Sequence, residues 1–436
     1  MKVVVRPAPG LRGRINVPGD KSVSHRAAII GALASGPTEI TGYLEAEDCL
    51  ATLRLLSALG VEITRKGPGH YLVAGAGLDG FQEPEDVLDL GNSGTTARLA
   101  LGFLAGQPFW CILTGDESLR RRPMGRVAEP IRQMGALVVG RSDGARLPLA
   151  VRGSRPLRSI RYRSPVASAQ VKSALLLAGL YADGPVTVEE PTRSRDHTER
   201  MLRAFGATVV SDGQAVTLTP GRELAGRPLR IPGDFSSAAF FLVAGLIVRA
   251  SELLVPGVGV NPTRTAALEL LSEMGARVSR SGHEEGDEPT ATLRVEGSPL
   301  RGVSVGGARI PKLIDEIPVL AVAAACAEGV TEVRDAAELR VKESDRVHAL
   351  VTELGKLGAR IEERADGFRI RGGAPLRGAT VRSWGDHRMA MALIIAGLVA
   401  AGQTVVEDIK CIATSYPDFL PTLERLVGAP CLSVLP

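Results

Sequence analysis

The chain has few aromatic residues, few cysteines and few histidines, and each shortage excludes a class of function. Phe, Trp and Tyr make up 4% of 436 residues and the net charge is only +4. The basic runs interleaved with aromatic rings that single-stranded nucleic acid requires are therefore missing. Five cysteines, at positions 49, 111, 326, 411 and 431, are odd in number, scattered and free of any C-x-x-C pair. A disulfide framework is excluded, and reduced thiols in a cytosol are expected. The six histidines show no H-E-x-x-H or other ligand spacing, so no protein-bound metal is expected. The longest apolar helix, Met389 to Gly402, is too short and too rich in Gly and Ala to span a bilayer. Met1 runs almost at once into the strand-like VVVR, which leaves no room for a signal or transit peptide. A soluble, cytoplasmic protein with neither nucleic acid nor membrane as partner is expected.

What is abundant is one repeated arrangement. Pro18-Gly19-Asp20-Lys21-Ser22-Val23-Ser24-His25-Arg26 is followed by AAIIGALASG. A Pro-Gly turn meets Ser hydroxyls able to cap a helix, and the helix is apolar on nearly every side, so it must be buried. Its polar residues are confined to the first turns, where unpaired N–H groups and the helix dipole add positive character to Lys21 and Arg26. Such a helix mouth is built for anions. The layout returns five times, beginning near Asn92, Ser168, Asp234, Asp315 and Gly385. Five copies lead into a second, amphipathic helix ending in a related word: ALGVEI, QMGALVV, AFGATVV, EMGARVS or KLGARI. Six units of about seventy residues follow, each strand, helix, strand, helix, strand, strand, with the last cut short after Leu426. The fold class is α/β.

A chain of this length exceeds one ordinary core, and six units divide into two sets of three. The PGD word stands at Pro18 to Asp20 and again at Pro232 to Asp234, each time before an apolar helix. If the chain passes between domains there, residues 21–231 form an inserted domain and 1–20 with 232–436 form the domain holding both termini. Two literal motifs carry nothing. Gly75-Ala76-Gly77-Leu78-Asp79-Gly80 fits the dinucleotide fingerprint but runs into FQEPED, and Gly19-Asp20-Lys21-Ser22 lacks the upstream glycine of a P-loop. The run HEEGDE from His283 reads as a solvated hairpin tip.

Charged residues then gather at one structural address. The first half supplies Lys21, Arg26, Arg122 in GDESLRRRPMG and Arg195 in TRSRDHTE. The second half supplies Asp315, Lys342, Glu343, Arg346, His387 and Arg388. If the helices of each domain run parallel, these side chains share a face. Two such faces opposed across a hinge would repel, by about 4 kcal/mol for a charge pair near 4 Å at an effective dielectric of 20. A polyanion touching both would favour closure. Phosphorylated carboxylic acids are the implied ligands, since arginine forks suit carboxylate and phosphate alike. Asp315 and Glu343 stand out in this field, either as charge balance or as acid and base, the latter needing a carboxyl able to exchange a proton near pH 7.

The words PGDKSVSHRA, LGNSGTTARL, RRPMGR, SPVASAQVKSALLLAGL, SRDHTE, LIDEIP, RVKESDR and GDHRMAM, in order along nearly the whole chain, resemble the EPSP synthase family of enolpyruvyl transferases. NSGTT, SRDHTE and VKESDR are similar to its class II forms, which tend to tolerate glyphosate. The resemblance implies two inside-out α/β barrel domains of three repeats each, with buried parallel helices. It implies transfer of the enolpyruvyl group of phosphoenolpyruvate to the 5-hydroxyl of shikimate 3-phosphate in aromatic amino acid synthesis, by a monomer without metal or organic cofactor. It also implies site residues. Lys21, Ser22, Arg26, Ser168, Gln170, Arg195 and Lys342 would hold shikimate 3-phosphate, with Asp315 as base on its 5-hydroxyl. Lys21, Asn92, Gly94, Arg122, Gln170, Arg346 and Arg388 would hold phosphoenolpyruvate. Glu343 would protonate its methylene, and Lys21 would join Asp315 and Glu343 in catalysis. In the family an Ala at the position of Gly94 accompanies glyphosate exclusion, and many members carry a Lys where this chain has Thr414. Two other readings stay open: a UDP-N-acetylglucosamine enolpyruvyl transferase, which places a Cys on the loop matching GDESLRRRPMG, and a non-catalytic anion-binding protein, which would need neither Asp315 nor Glu343.

Overall fold

Each repeated apolar word folds into a helix buried along nearly its whole length. These are α1 (Lys21–Leu33), α2 (Gly94–Leu104), α3 (Ala169–Gly179), α4 (Phe235–Ile247), α5 (Ile317–Cys326) and α6 (His387–Gly397). Ala and Leu, neither of them branched at Cβ, favour helix in all of them. At Gly102 of α2 a Cβ would lie 2.3 Å from the Ala174 carbonyl of α3, so only glycine permits that crossing. The first residues are capped, though not as the sequence reading had it for α1 and α4. Asp20 accepts from the Val23 amide and Asp234 from the Ser237 amide, while Ser93 and Ser168 cap α2 and α3. An aspartate is as good an acceptor there as a serine and matches the helix dipole, which leaves the Ser22 hydroxyl outside the cap.

The computed structural model describes all 436 residues and resolves them into two units, Met1–Pro18 with Gly233–Pro436 and Gly19–Pro232. The terminal unit contains α4, α5 and α6, which pack on one another. The inserted unit contains α1, α2 and α3, with α2 against both others. Six four-stranded sheets surround the helices, three in each unit. All six share one pairing plan: a short edge strand parallel to its neighbour, then two antiparallel pairings. Strands such as Leu149–Arg152 and Thr404–Glu407 alternate buried and more exposed positions, so one face of each covers the core. Helices inside and sheets outside make this the six-repeat, inside-out α/β fold.

The repeats are completed by strands remote in sequence. Leu229–Arg230 runs parallel to Ser35–Thr41, and Arg12–Arg14 parallel to Glu252–Gly259. The sixth repeat is not cut short after Leu426. Lys2–Val5 pairs antiparallel with Thr404–Glu407 and with Leu432–Leu435, and so takes the inner place of that sheet. No helix is long and apolar enough to cross a membrane.

Candidate active site

In the inserted unit the mouths of α1, α2 and α3 meet. Arg26 of α1 is 3% exposed. It donates from Nε to Thr198 Oγ1 at 2.6 Å, from Nη2 to Ser173 Oγ at 2.8 Å and from Nη1 to the Ser22 carbonyl at 2.9 Å. Those bonds join α1 to α3 and to the helix His197–Ala204. Lys21, the first residue of α1, reaches Asp48 Oδ2 at 3.0 Å. His25 is fully buried and hydrogen-bonds Thr52 Oγ1 at 2.6 Å, which in turn bonds Thr96 Oγ1 at 2.7 Å and so reaches Ser93, the cap of α2. Burial, then the nearby charges of Lys21 and Arg26, holds the His25 imidazole well below its ordinary pKa of 6.5.

Arg98 connects α2 to α3. It donates to the Gly94 carbonyl, to Gln170 Oε1 at 3.1 Å and to the Pro123 carbonyl at 2.8 Å, while Gln170 donates to Thr95 Oγ1. Arg122 donates to the Asn92 carbonyl at 3.2 Å, and the Asn92 amide donates to Asp116. Gly94 lies under both guanidinium groups. A Cβ there would be 2.8 Å from Arg122 Cζ and 2.8 Å from Arg98 Nη1. Ser168 caps α3 and Arg195 lies half-buried in the loop before His197–Ala204. Lys21, Arg26, Asn92, Gly94, Arg122, Ser168 and Gln170 thus stand at the ends of the three inner helices or on loops bonded to them.

In the terminal unit the corresponding mouth belongs to α4, α5 and α6. Arg346, 1% exposed in its side chain, is the hub. It donates to Asp386 from Nε at 2.7 Å and from Nη2 at 3.2 Å, to Glu343 Oε2 from Nη2 at 2.7 Å, and approaches Asp315 Oδ1 at 3.5 Å. Burial alone would lower the arginine's pKa, but Asp386, Glu343 and Asp315 outweigh it and raise the value. Asp386 is also the cap of α6, accepting from the Arg388 amide at 2.9 Å. Arg388 Nη1 donates to the Asp315 carbonyl at 3.0 Å, and Lys342 Nζ lies 3.7 Å from Asp315 Oδ1. Asp315, Lys342, Glu343, Arg346 and Arg388 therefore form one cluster. Beside it, Ser236 of α4 bonds Glu316 at the start of α5, which brings the third helix mouth to the same end. No group of three or more His, Cys, Asp or Glu is arranged to hold a metal ion.

Several members of these networks escaped the sequence reading. Asp48 sits in the first turn of the helix Glu47–Ala58, where an acid is ordinary, and Asp386 reads as a simple cap. Arg98 left a clearer signal, a charge inside a largely apolar helix, which burial obliges to find partners. Thr414, at the place of the family's Lys, donates to the Cys411 carbonyl at 2.7 Å within its own turn.

A family model described as EPSP synthase (3-phosphoshikimate 1-carboxyvinyltransferase) matches residues 5–423. A 3-phosphoshikimate 1-carboxyvinyltransferase of Desulforudis audaxviator is 57% identical over 427 residues, covering 98% of this chain and 99% of that one. One of Synechococcus elongatus is 56% identical over 424 residues, 96% of this chain and 94% of that one. Among solved structures, an EPSP synthase from Acinetobacter baumannii superposes with a TM-score of 0.89 at 41% identity over the whole of both chains. The enolpyruvyl transferase NikO from Streptomyces tendae, at 20% identity and a TM-score of 0.81 over 100% of this chain and 99% of that one, shares the fold.

Proposed function

The chain belongs to the EPSP synthase family, and on that premise we propose how its residues carry the reaction of a 3-phosphoshikimate 1-carboxyvinyltransferase. The acceptor is shikimate 3-phosphate and the donor phosphoenolpyruvate. In the inserted unit, Lys21, Ser22, Arg26, Ser168, Gln170 and Arg195 take shikimate 3-phosphate. Asn92, Gly94 and Arg122, with Lys21 and Gln170, take phosphoenolpyruvate. In the terminal unit, Lys342 and Asp315 meet shikimate 3-phosphate, and Arg346 and Arg388 meet phosphoenolpyruvate.

Glu343 gives a proton to the methylene of phosphoenolpyruvate, leaving a cationic carbon that the 5-hydroxyl attacks as Asp315 accepts its proton. The tetrahedral adduct then loses phosphate by the reverse proton movement. Lys21 supports this chemistry by carrying positive charge to the phosphoenolpyruvate side. The observation that supports the assignment best is the buried Arg346, which binds Glu343 and approaches Asp315 from one guanidinium group, so both carboxylates have fixed places. The reading also has the enzyme working as a cytoplasmic monomer without metal or organic cofactor.

Phosphate release from phosphoenolpyruvate tests it. Release in the wild type should depend on shikimate 3-phosphate and not on UDP-N-acetylglucosamine. Glu343→Gln should lower turnover by about 10²-fold or more, the usual scale for an acid–base group. Near-normal turnover in that variant would remove Glu343 from the mechanism.

A further inference from the structure

Lys172 is the only charged residue of α3, and its side chain is wholly buried. Its ammonium lies 2.9 Å from Glu190 Oε2 and 2.8 Å from Glu199 Oε1, both carboxylates being at most 2% exposed. Burial alone would lower the lysine's pKa, but Glu199 and Glu190 together raise it, so the group is charged. One carboxylate would balance one ammonium. A second buried carboxylate adds a further desolvation cost, so it calls for a role of its own.

The two acids differ in what else they hold. Glu190 Oε1 accepts from the Ser168 amide at 2.9 Å. Glu190 Oε2 accepts from the Ser194 amide at 3.2 Å and from the Ser194 hydroxyl at 2.9 Å. One carboxylate thus ties the capping residue of α3 to the residue before Arg195. Glu199, on the helix His197–Ala204, is bound by Lys172. An acid beside a phosphate site would repel the ligand unless a cation were locked to it, and Lys172 is that cation.

We propose that Glu190 is a positioning residue for shikimate 3-phosphate: clamped by Lys172, it fixes Ser168 and the Ser194–Arg195 loop in the geometry that receives the acceptor's phosphate. This rests on the assignment of Ser168 and Arg195 to that phosphate. Glu190 acts on the ligand only through them, so its loss weakens capture of one substrate and leaves the chemical step alone.

Steady-state kinetics on the full chain, with both substrates varied, tests this in Glu190→Gln, Glu199→Gln and Ser168→Ala. Each glutamine variant leaves Lys172 one carboxylate, so the ammonium keeps a buried counter-charge. Glu190→Gln should raise KM for shikimate 3-phosphate about 10-fold, with kcat and KM for phosphoenolpyruvate within about twofold. Glu199→Gln should leave KM for shikimate 3-phosphate within about twofold, although it removes the same charge from the same cluster. Equal KM values in the two variants would overturn the proposal, as would a Glu190→Gln defect confined to thermal stability. Should Glu190→Gln not fold, Glu190→Asp keeps the charge, retracts it by one methylene and should show the same selective rise. Ser168→Ala separates the premises: if it raises KM for shikimate 3-phosphate and Glu190→Gln does not, the positioning role alone falls. If neither variant does, the site assignment falls with it.

Discussion

Arg26 and Arg346 are both buried guanidinium groups near helix starts, one in each unit, and they are held by different partners. Arg26 donates to two hydroxyls and a carbonyl. Arg346 binds or approaches three carboxylates, Asp386, Glu343 and Asp315. Those hydroxyl and carbonyl oxygens fix the direction of the Arg26 guanidinium. With carboxylates the relation inverts, and the arginine fixes the acids. The same three-helix, three-sheet scaffold therefore orients a guanidinium at the helix mouths of the inserted unit and a set of carboxylates at those of the terminal one.

The sharpest break of this comparison is Arg346→Met. It strips the common partner from three carboxylates and should cost about 3–5 kcal/mol of unfolding free energy, as removal of one side of a buried ion cluster does. Urea unfolding at pH 7 measures it, and a loss below about 1 kcal/mol would mean the carboxylates do not depend on this arginine. A smaller effect is expected from Gly94→Ala in the inserted unit. The new methyl would meet the ends of two flexible arginine side chains rather than backbone, so Arg122 and Arg98 give way and the fold survives. KM for phosphoenolpyruvate should rise about 10-fold with little change in thermal midpoint. An unchanged KM would take Gly94 out of that subsite.

The smallest effect concerns His25, which sits among hydroxyls beside Lys21 and Arg26. Its folded-state pKa is lowered, so below about pH 6.5 the unfolded chain takes up a proton that the folded chain refuses. Its contribution is intact above pH 6.5 and is lost as the pH falls toward the depressed value, by up to about 1.4 kcal/mol per pH unit. His25→Gln should flatten the acid side of the stability profile, and an unaltered slope would show that another group sets it.

The buried helices were legible because a segment apolar all round has only one place to go, and because turn residues mark its start. The caps of α1 and α4 were misread, since Asp20 and Asp234 compete with nearby serines for the same amides and local sequence does not decide between them. The sixth sheet was illegible for a different reason. Lys2–Val5 pairs with strands some four hundred residues away, and a strand's own alternation says nothing about its partner. In the site, Lys21, Arg26, Arg346 and Arg388 could be found from charge at helix mouths. Asp48 and Asp386 could not, because an acid in a first turn or at a cap already has an ordinary explanation. Lys172 could have been found, since a lysine inside AQVKSALLL has to be paired, but its two glutamates lie in other elements.

If Glu343 serves proton transfer and not capture, removing it should leave capture of shikimate 3-phosphate intact. Calorimetric titration of shikimate 3-phosphate into Glu343→Gln tests that most directly. The account predicts a Kd within about threefold of the wild-type value in a protein that no longer turns over. A Kd raised by about a hundredfold, equivalent to about 2.7 kcal/mol of lost binding, would show that Glu343 serves in capture and would contradict its assignment to proton transfer alone.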